Sequence, residues 1–183
     1  FYMIDQSVKG FITRLFSASQ VAIQYALLIL SIAKQNIYLL YLTIWTILKS
    51  FILFYPKQLM KKSSLGKRPK LAYDCDMFGS GGKPWTGGLI SGHMTIILML
   101  STVLVLNMNE IGKMNESIIP GLLIVITTTG LARYYSNCHS SIQIAFGSIA
   151  GLLLGLVVYM VEKPLENLER FKKDKENIYS YFS

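Results

Sequence analysis

Cations and histidines gather at two places in a chain that is otherwise mostly apolar. Lys61 is followed after six residues by Arg68-Pro69, and Ser91-Gly92-His93 comes directly before an apolar run; further on, Arg133 and His139 are separated by five residues. Arginine can form paired hydrogen bonds to phosphoryl oxygens, lysine supplies a point charge, and the N–H groups that open a helix attract anions. Two histidines could then act as nucleophile and general acid. The residue types therefore predict a site for phosphoryl chemistry.

The composition favours a membrane protein. The 183 residues are 52% hydrophobic and only 15% charged, with a mean hydropathy of +0.42, which is too apolar for an ordinary water-soluble surface. The net charge is +8, and most of the basic residues lie in the loop after Tyr55 and in the tail after Val161. That distribution indicates contact with lipid headgroups or phosphate, or topology signals, and we predict no nucleic-acid partner.

Apolar runs predict a polytopic all-α transmembrane bundle of four to five spans, with an active-site loop at one membrane face. We treat residues 1–183 as a single membrane domain with three parts: an interfacial helix or first span (1–36), a core (37–161) and a polar tail (162–183), expected to be a solvated helix. Within the core, Lys49 should snorkel or face a polar interior. Glycines at 147, 151 and 155 predict a close helix contact. The predicted spans are 21–33, 37–55, 92–108, 118–135 and 142–161.

Counting the crossings assigns the polar segments to sides of the membrane. The span from Ile37 ends where the long loop begins, and the next two spans form a hairpin that returns the chain at Tyr135 to the same side. Both cation and histidine clusters can therefore converge at one face, while the tail lies at the other.

Simpler interpretations exist for each of these residues. Lysines and arginines that follow a membrane helix are often topology signals, and a histidine near a helix end is often structural. A metal site that includes Cys75 and Cys138 is disfavoured, because carboxylates are few and the adjacent Cys138 and His139 would struggle to bind one ion. We predict neither a metal nor a cofactor. The two cysteines either form a disulfide, if their side of the membrane is oxidising, or remain free thiols.

At this point the chain resembles the type 2 phosphatidic acid phosphatase superfamily over about residues 37–161. The family pattern has three parts: Lys, six residues and Arg-Pro; Pro-Ser-Gly-His; and Ser-Arg, five residues, His, three residues and Asp. Lys61 to Pro69 matches the first part in full. The second part has Ile90 in place of proline, and the third has Ala132 in place of serine and Gln143 in place of aspartate.

The resemblance implies a role for each matched residue. Lys61, Arg68 and Arg133 would hold the phosphate with Ser91 and Gly92, while His93 would be the general acid and His139 the nucleophile. Lys62 is a rival to Lys61, because lipid phosphate phosphatases resemble the segment around it. The site would face the lumen or the exterior of an endomembrane or other organelle membrane, and no metal would be needed.

Gln143 is the departure with the greatest chemical consequence. Four positions after His139 on a helix, it lies one turn away and could orient the imidazole ring. A carboxylate would also stabilise the imidazolium, which a neutral amide cannot do. Dolichyl diphosphate phosphatases and glucose-6-phosphatases are similar in having glutamine here, so we expect an active site with catalytic residues His139, His93 and Gln143.

Three functions therefore compete. The first is a phosphatase for a lipid phosphate or diphosphate. The second is a phosphotransferase similar to sphingomyelin synthases, whose histidine motif resembles residues 89–93. The third is a non-catalytic subunit of a membrane complex, motivated by the departures at Ile90, Ala132 and Gln143. The expected partners are a lipid phosphate substrate, membrane lipids and, for the third function, other subunits.

Overall fold

The computed structural model describes residues 2–69, 75 and 88–182, with side chains from residue 18 onward. Within these ranges the chain is all-helical and contains no strand, which confirms the predicted fold class. The helices are α1 (Tyr2–Ala33), α2 (Ile37–Met60), α3 (Gly92–Glu110), α4 (Ile118–Tyr135), α5 (Ser141–Leu165) and α6 (Glu169–Tyr179), followed by a 3₁₀ turn (Ser180–Phe182).

Four of these helices, α2 to α5, are long and apolar enough to cross a membrane. The apolar part of α1 is shorter and covers Ala18–Ala33. The hydroxyls and amides at the helix starts explain two of the boundaries: Asn36 accepts a hydrogen bond from the Leu39 N–H at 2.8 Å, and Ser140 forms a capping box with Gln143. The chain is thus an integral membrane protein with at least these four candidate spans.

The centre of the bundle is the contact between α3 and α5. A Cβ atom on Gly147 would lie 2.7 Å from the Ser91 carbonyl oxygen, and one on Gly151 would lie 2.7 Å from that of Thr95. One on Gly155 would lie 2.6 Å from the Thr102 Cβ. Only glycine therefore allows this approach, and the predicted close helix contact is confirmed.

The tail does not form the solvated helix that we predicted. Phe171, Lys175 and Tyr179, each four residues apart, are buried against the bundle, so α6 is an amphipathic helix that packs by one face. The prediction was wrong because Lys175 counts as polar in the sequence, although it meets a buried carboxylate: its Nζ lies 3.1 Å from Glu162 Oε1.

The contacts of α6 also locate it along the bundle. Asp174 Oδ2 accepts the Ile37 N–H at 2.7 Å, at the start of α2. Asn107, near the end of α3, donates to the Tyr179 hydroxyl at 3.0 Å. The tail therefore lies at the end of the bundle opposite the long loop, as the count of crossings predicted.

Candidate active site

The cation and histidine clusters meet where α2 and α4 end and where α3 and α5 begin. A disulfide between Cys75 and Cys138, with Cα atoms 5.3 Å apart, joins the long loop to the connection between α4 and α5. The disulfide alternative is therefore the correct one, and the free thiols are not present. This link brings the segments of Arg68 and His139 together.

His139 is buried, with 3% of its surface exposed. Its Nδ1 lies 2.9 Å from the Gly88 carbonyl oxygen, and because a carbonyl can only accept, Nδ1 carries the proton and donates it. That tautomer leaves the lone pair of the ring on Nε2. Burial, and then the positive charges of Arg68, Arg133 and Lys57, hold the pKa of His139 well below its usual range. Burial and these charges thus favour the neutral form of the ring, and its lone pair lies on Nε2.

The two arginines lie next to this ring, and backbone carbonyl groups orient them. Arg133, in the last turn of α4, is 1% exposed, and its Nη2 donates to the Cys75 carbonyl at 2.6 Å. Arg68 Nη1 donates to the Cys138 carbonyl at 3.2 Å. The disulfide-linked residues therefore each accept from one guanidinium group, so the link also positions the arginines.

The residues that open α3 are all buried: Ser91, Gly92 and His93. The Ser91 N–H donates to the Gln143 carbonyl at 3.2 Å, so it is already engaged, whereas the buried Ser91 Oγ has no hydrogen-bond partner in the described part of the chain. The hydroxyl, rather than the N–H, is therefore the group that Ser91 can offer to an anion. His93 is close enough to affect the pKa of His139.

Ile90, where the family pattern has proline, adopts a left-handed conformation with φ of 64°. Proline cannot adopt this conformation, since its ring holds φ near −65°. For a β-branched residue a positive φ is strained. A proline at this position would therefore require a different backbone path into α3.

The Gln143 side chain does not contact the ring of His139 through any described hydrogen bond. Its Nε2 donates to the carbonyls of Leu65 at 2.7 Å and Lys67 at 2.8 Å, while Oε1 accepts the Ser140 N–H at 3.2 Å. Its amide also packs against Gly88, where a Cβ would lie 2.9 Å from Oε1. Gln143 therefore holds the loop that leads to Arg68, and the Gly88 carbonyl takes the ring-orienting position that we expected for Gln143.

The lysines are arranged differently from the family pattern. Lys61 and Lys62 are exposed at the end of α2, whereas Lys57 is partly buried and its Nζ lies 3.7 Å from where a Cβ on Gly92 would be. Lys49 is buried and its Nζ donates to the Gly92 carbonyl at 3.4 Å, so it faces the interior, one of the two alternatives predicted for it. Lys57 was missed as a site residue, although it lies one helical turn before Lys61.

Within the described ranges, no three His, Cys, Asp or Glu side chains come close enough to hold a metal ion. What the structure brings together is a group of three buried residues (His93, Arg133 and His139) and the partly buried Arg68, with Ser91, Gly92, Lys57 and Gln143 around it.

The fold and this cluster define an integral membrane protein with a cationic, histidine-containing site at one end of its spans. The family model described as the PAP2 superfamily matches residues 34–165. The chain therefore belongs to the PAP2 superfamily, which confirms the resemblance drawn from its motifs. No curated protein and no solved structure matches it.

Proposed function

We propose that the protein is a metal-independent phosphatase that hydrolyses a lipid phosphate or lipid diphosphate through a phosphohistidine intermediate. The observation that carries this proposal is the state of His139. Its Nδ1 is occupied by the Gly88 carbonyl, and burial beside Arg68 and Arg133 lowers its pKa. A neutral ring with Nε2 as its only lone pair, next to two guanidinium groups, is suited to attack on phosphorus.

The reaction has two steps. His139 Nε2 forms a bond to phosphorus while the bond from phosphorus to the lipid oxygen breaks, and His93 gives its proton to that oxygen. A water molecule then attacks the phosphohistidine, His93 takes a proton from it, and the P–N bond breaks to release inorganic phosphate. Both histidines return to their initial states, so no metal ion or cofactor is consumed.

The cations supply binding and charge stabilisation. Arg68 and Arg133 would hold the non-bridging oxygens, with the Ser91 hydroxyl as a further donor. Lys57 is the lysine whose position supports a phosphate contact. Lys61 or Lys62, which the family pattern favours, would have to reach inward from an exposed position. The site lies at the ends of apolar helices, which supports a substrate held in a membrane.

The disulfide supports a site on the lumenal or extracytoplasmic side. Disulfides persist in oxidising compartments and are rare in the cytosol, and Cys75–Cys138 lies in the same loops as the arginine ligands. On this proposal the tail with α6 faces the cytoplasm.

The test is a phosphate-release assay on purified protein in detergent with a chelator present. Phosphatidate, prenyl diphosphates and sphingolipid phosphates are offered in parallel to the wild-type protein and to His139→Ala. We expect release from at least one substrate, reduced by about 10³-fold or more in the variant, as for loss of other catalytic nucleophiles. Lys113→Ala, which removes an exposed cation just after the end of α3, is the control and should retain wild-type activity.

Three results would overturn the proposal. Formation of a new phospholipid without free phosphate would indicate a phosphotransferase. No turnover of any substrate by a folded protein would indicate a non-catalytic subunit. Release that requires a metal ion would contradict the histidine mechanism.

A further inference from the structure

A cavity of about 860 Å³ lies at the end of the bundle opposite the histidines. It is lined by α1, α2, α3 and the segment from α6 to the 3₁₀ turn, and it is partly open to the surroundings. Leu42, on its wall, precedes Lys57 by fifteen residues, or about 22 Å along a helix. The cavity is therefore separate from the phosphatase site, and its volume falls within the ordinary range for small-molecule sites.

Most of the cavity wall is apolar and comes from two candidate membrane spans, α2 and α3, and from the shorter apolar helix α1. Leu27 and Leu30 of α1 face Leu39 of α2 and Leu100 and Leu104 of α3. The medium beside such helices is lipid, not water, and an empty space of this size would leave the wall atoms without contacts. A hydrocarbon chain from the surrounding lipid supplies those contacts.

One end of the cavity is polar and carries a cation. Lys34, Asn36, Asn177 and Ser180 line it at the turn between α1 and α2, and Lys34 is exposed. The acid at this end, Asp174, is engaged by the Ile37 N–H at the start of α2, where the helix dipole favours a negative charge. The Asn36 amide already donates to the Asp174 carbonyl, so the polar end offers mainly the Lys34 ammonium to an anionic group.

From this combination we propose that the cavity binds one anionic phospholipid from the leaflet opposite the phosphatase site. A hydrocarbon chain would lie between α1 and α3, and the headgroup phosphate would contact Lys34. Such a lipid would also contact Tyr179 and Phe182, and so would hold the C-terminal segment against the bundle. The proposal does not depend on catalysis.

Native mass spectrometry of the full chain in detergent tests the proposal. The delipidated protein is mixed with phosphatidylglycerol or with phosphatidylcholine that has the same acyl chains. Both lipids are phosphodiesters, so neither is a substrate for a monoesterase. We expect one phosphatidylglycerol to be retained per chain, at least about fivefold more than phosphatidylcholine.

Two pairs of variants test separately the contact with the hydrocarbon chain of the lipid and the contact with its headgroup. Leu104→Trp fills the cavity and should reduce retention at least tenfold, whereas Leu123→Trp, on the exposed face of α4, should not. Lys34→Glu should abolish the preference for the anionic lipid, whereas Lys113→Glu, an exposed lysine near the end of α3, should preserve it. If Leu104→Trp does not fold, Leu30→Trp on the opposite wall replaces it.

Three outcomes would overturn the proposal. Retention of no lipid by the wild-type protein is the first, and equal retention by a folded cavity-filling variant is the second. The third is a dimer that Leu104→Trp abolishes, because a second copy of the chain would then be the occupant.

Discussion

The two ends of the bundle both bury positive charges, but they surround them with different groups. At the tail end, Lys175 lies 3.1 Å from Glu162 and 3.6 Å from Glu110, so each charge has an opposite charge beside it. At the other end, Arg68 and Arg133 donate to backbone carbonyls and lie next to two histidines. A lysine paired with carboxylates is suited to fasten a helix. Guanidinium groups oriented by carbonyls beside an imidazole are suited to receive a phosphoryl group.

The largest expected effect concerns the ion pair at the tail end. Lys175→Met would leave the buried Glu162 without its main partner, and breaking a buried pair in this way typically costs about 3–5 kcal/mol. The melting temperature should fall, with phosphatase activity per folded molecule little changed. The double variant Lys175→Met/Glu162→Gln should recover much of the loss. A full-length protein that melts at the wild-type temperature would show that this pair does not fasten α6.

The next largest effect is expected at Gln143, at the end of the bundle that contains the histidines. Gln143→Asp restores the family residue, but an ionised carboxylate cannot donate to Leu65 and Lys67 and would face their carbonyl oxygens. Loss of two hydrogen bonds predicts a decrease in kcat/KM of about 10- to 100-fold. Gln143→Asn, a shorter amide that keeps the donor, is the control for charge. Higher activity in Gln143→Asp would mean that the side chain acts on His139 instead.

The charge around His139 gives a pH prediction. Since burial and then Arg68 lower the pKa of His139, its folded-state pKa lies below the unfolded value of about 6.5. The free energy of unfolding should therefore decrease as the pH falls below this unfolded-state pKa. At higher pH, the titration of His139 should not affect it. Carbon-13 NMR can resolve the titration, because the chain has only two histidines.

In that experiment the assignment comes from a His93→Gln variant, which leaves a single ring. A midpoint below 6.5 is expected, and it should rise in Arg68→Met because one positive charge is removed. Titration of His139 at or above 6.5 would contradict the assignment of a neutral nucleophile.

The smallest effect is expected at Ile90. Glycine tolerates a positive φ, so Ile90→Gly should relieve strain of about 1 kcal/mol and raise the melting temperature slightly. Ile90→Pro restores the family residue but cannot adopt φ of 64° and should lower it. A more stable proline variant would contradict the left-handed conformation of Ile90.

Much of the candidate site could be predicted from the sequence, because charged residues are conspicuous in an apolar chain. The spacing of Arg68, His93, Arg133 and His139 and the count of crossings were enough to place them at one face. The position of Lys57 beside Gly92 was not predictable, since Lys57 and Lys61 are one helical turn apart and only the tertiary structure shows that Lys57 is partly buried while Lys61 is exposed. The role of Gln143 depends on the path of a distant loop, which periodicity does not encode.

The contacts at the tail end were harder to predict, because they join residues that belong to no motif and are far apart in the sequence. The Tyr38 and Tyr179 hydroxyls lie 2.5 Å apart although 141 positions separate them, and neither residue belongs to a motif. Lys175 and Glu162 look like surface residues until their burial is known. Ion pairs between residues that are far apart in the sequence leave no local pattern. Glycines at 147, 151 and 155 form a regular pattern, and the helix contact that they allow was predicted.

The central claim is that His139 forms the covalent intermediate, and the most direct test is to trap it. A reaction with the preferred lipid phosphate is stopped within milliseconds at alkaline pH, where phosphohistidine survives, and the peptides are analysed by mass spectrometry. We predict a phosphoryl group on His139, absent from His139→Ala. Turnover with the group on another residue, or with no protein-bound phosphate at any time, would contradict the account.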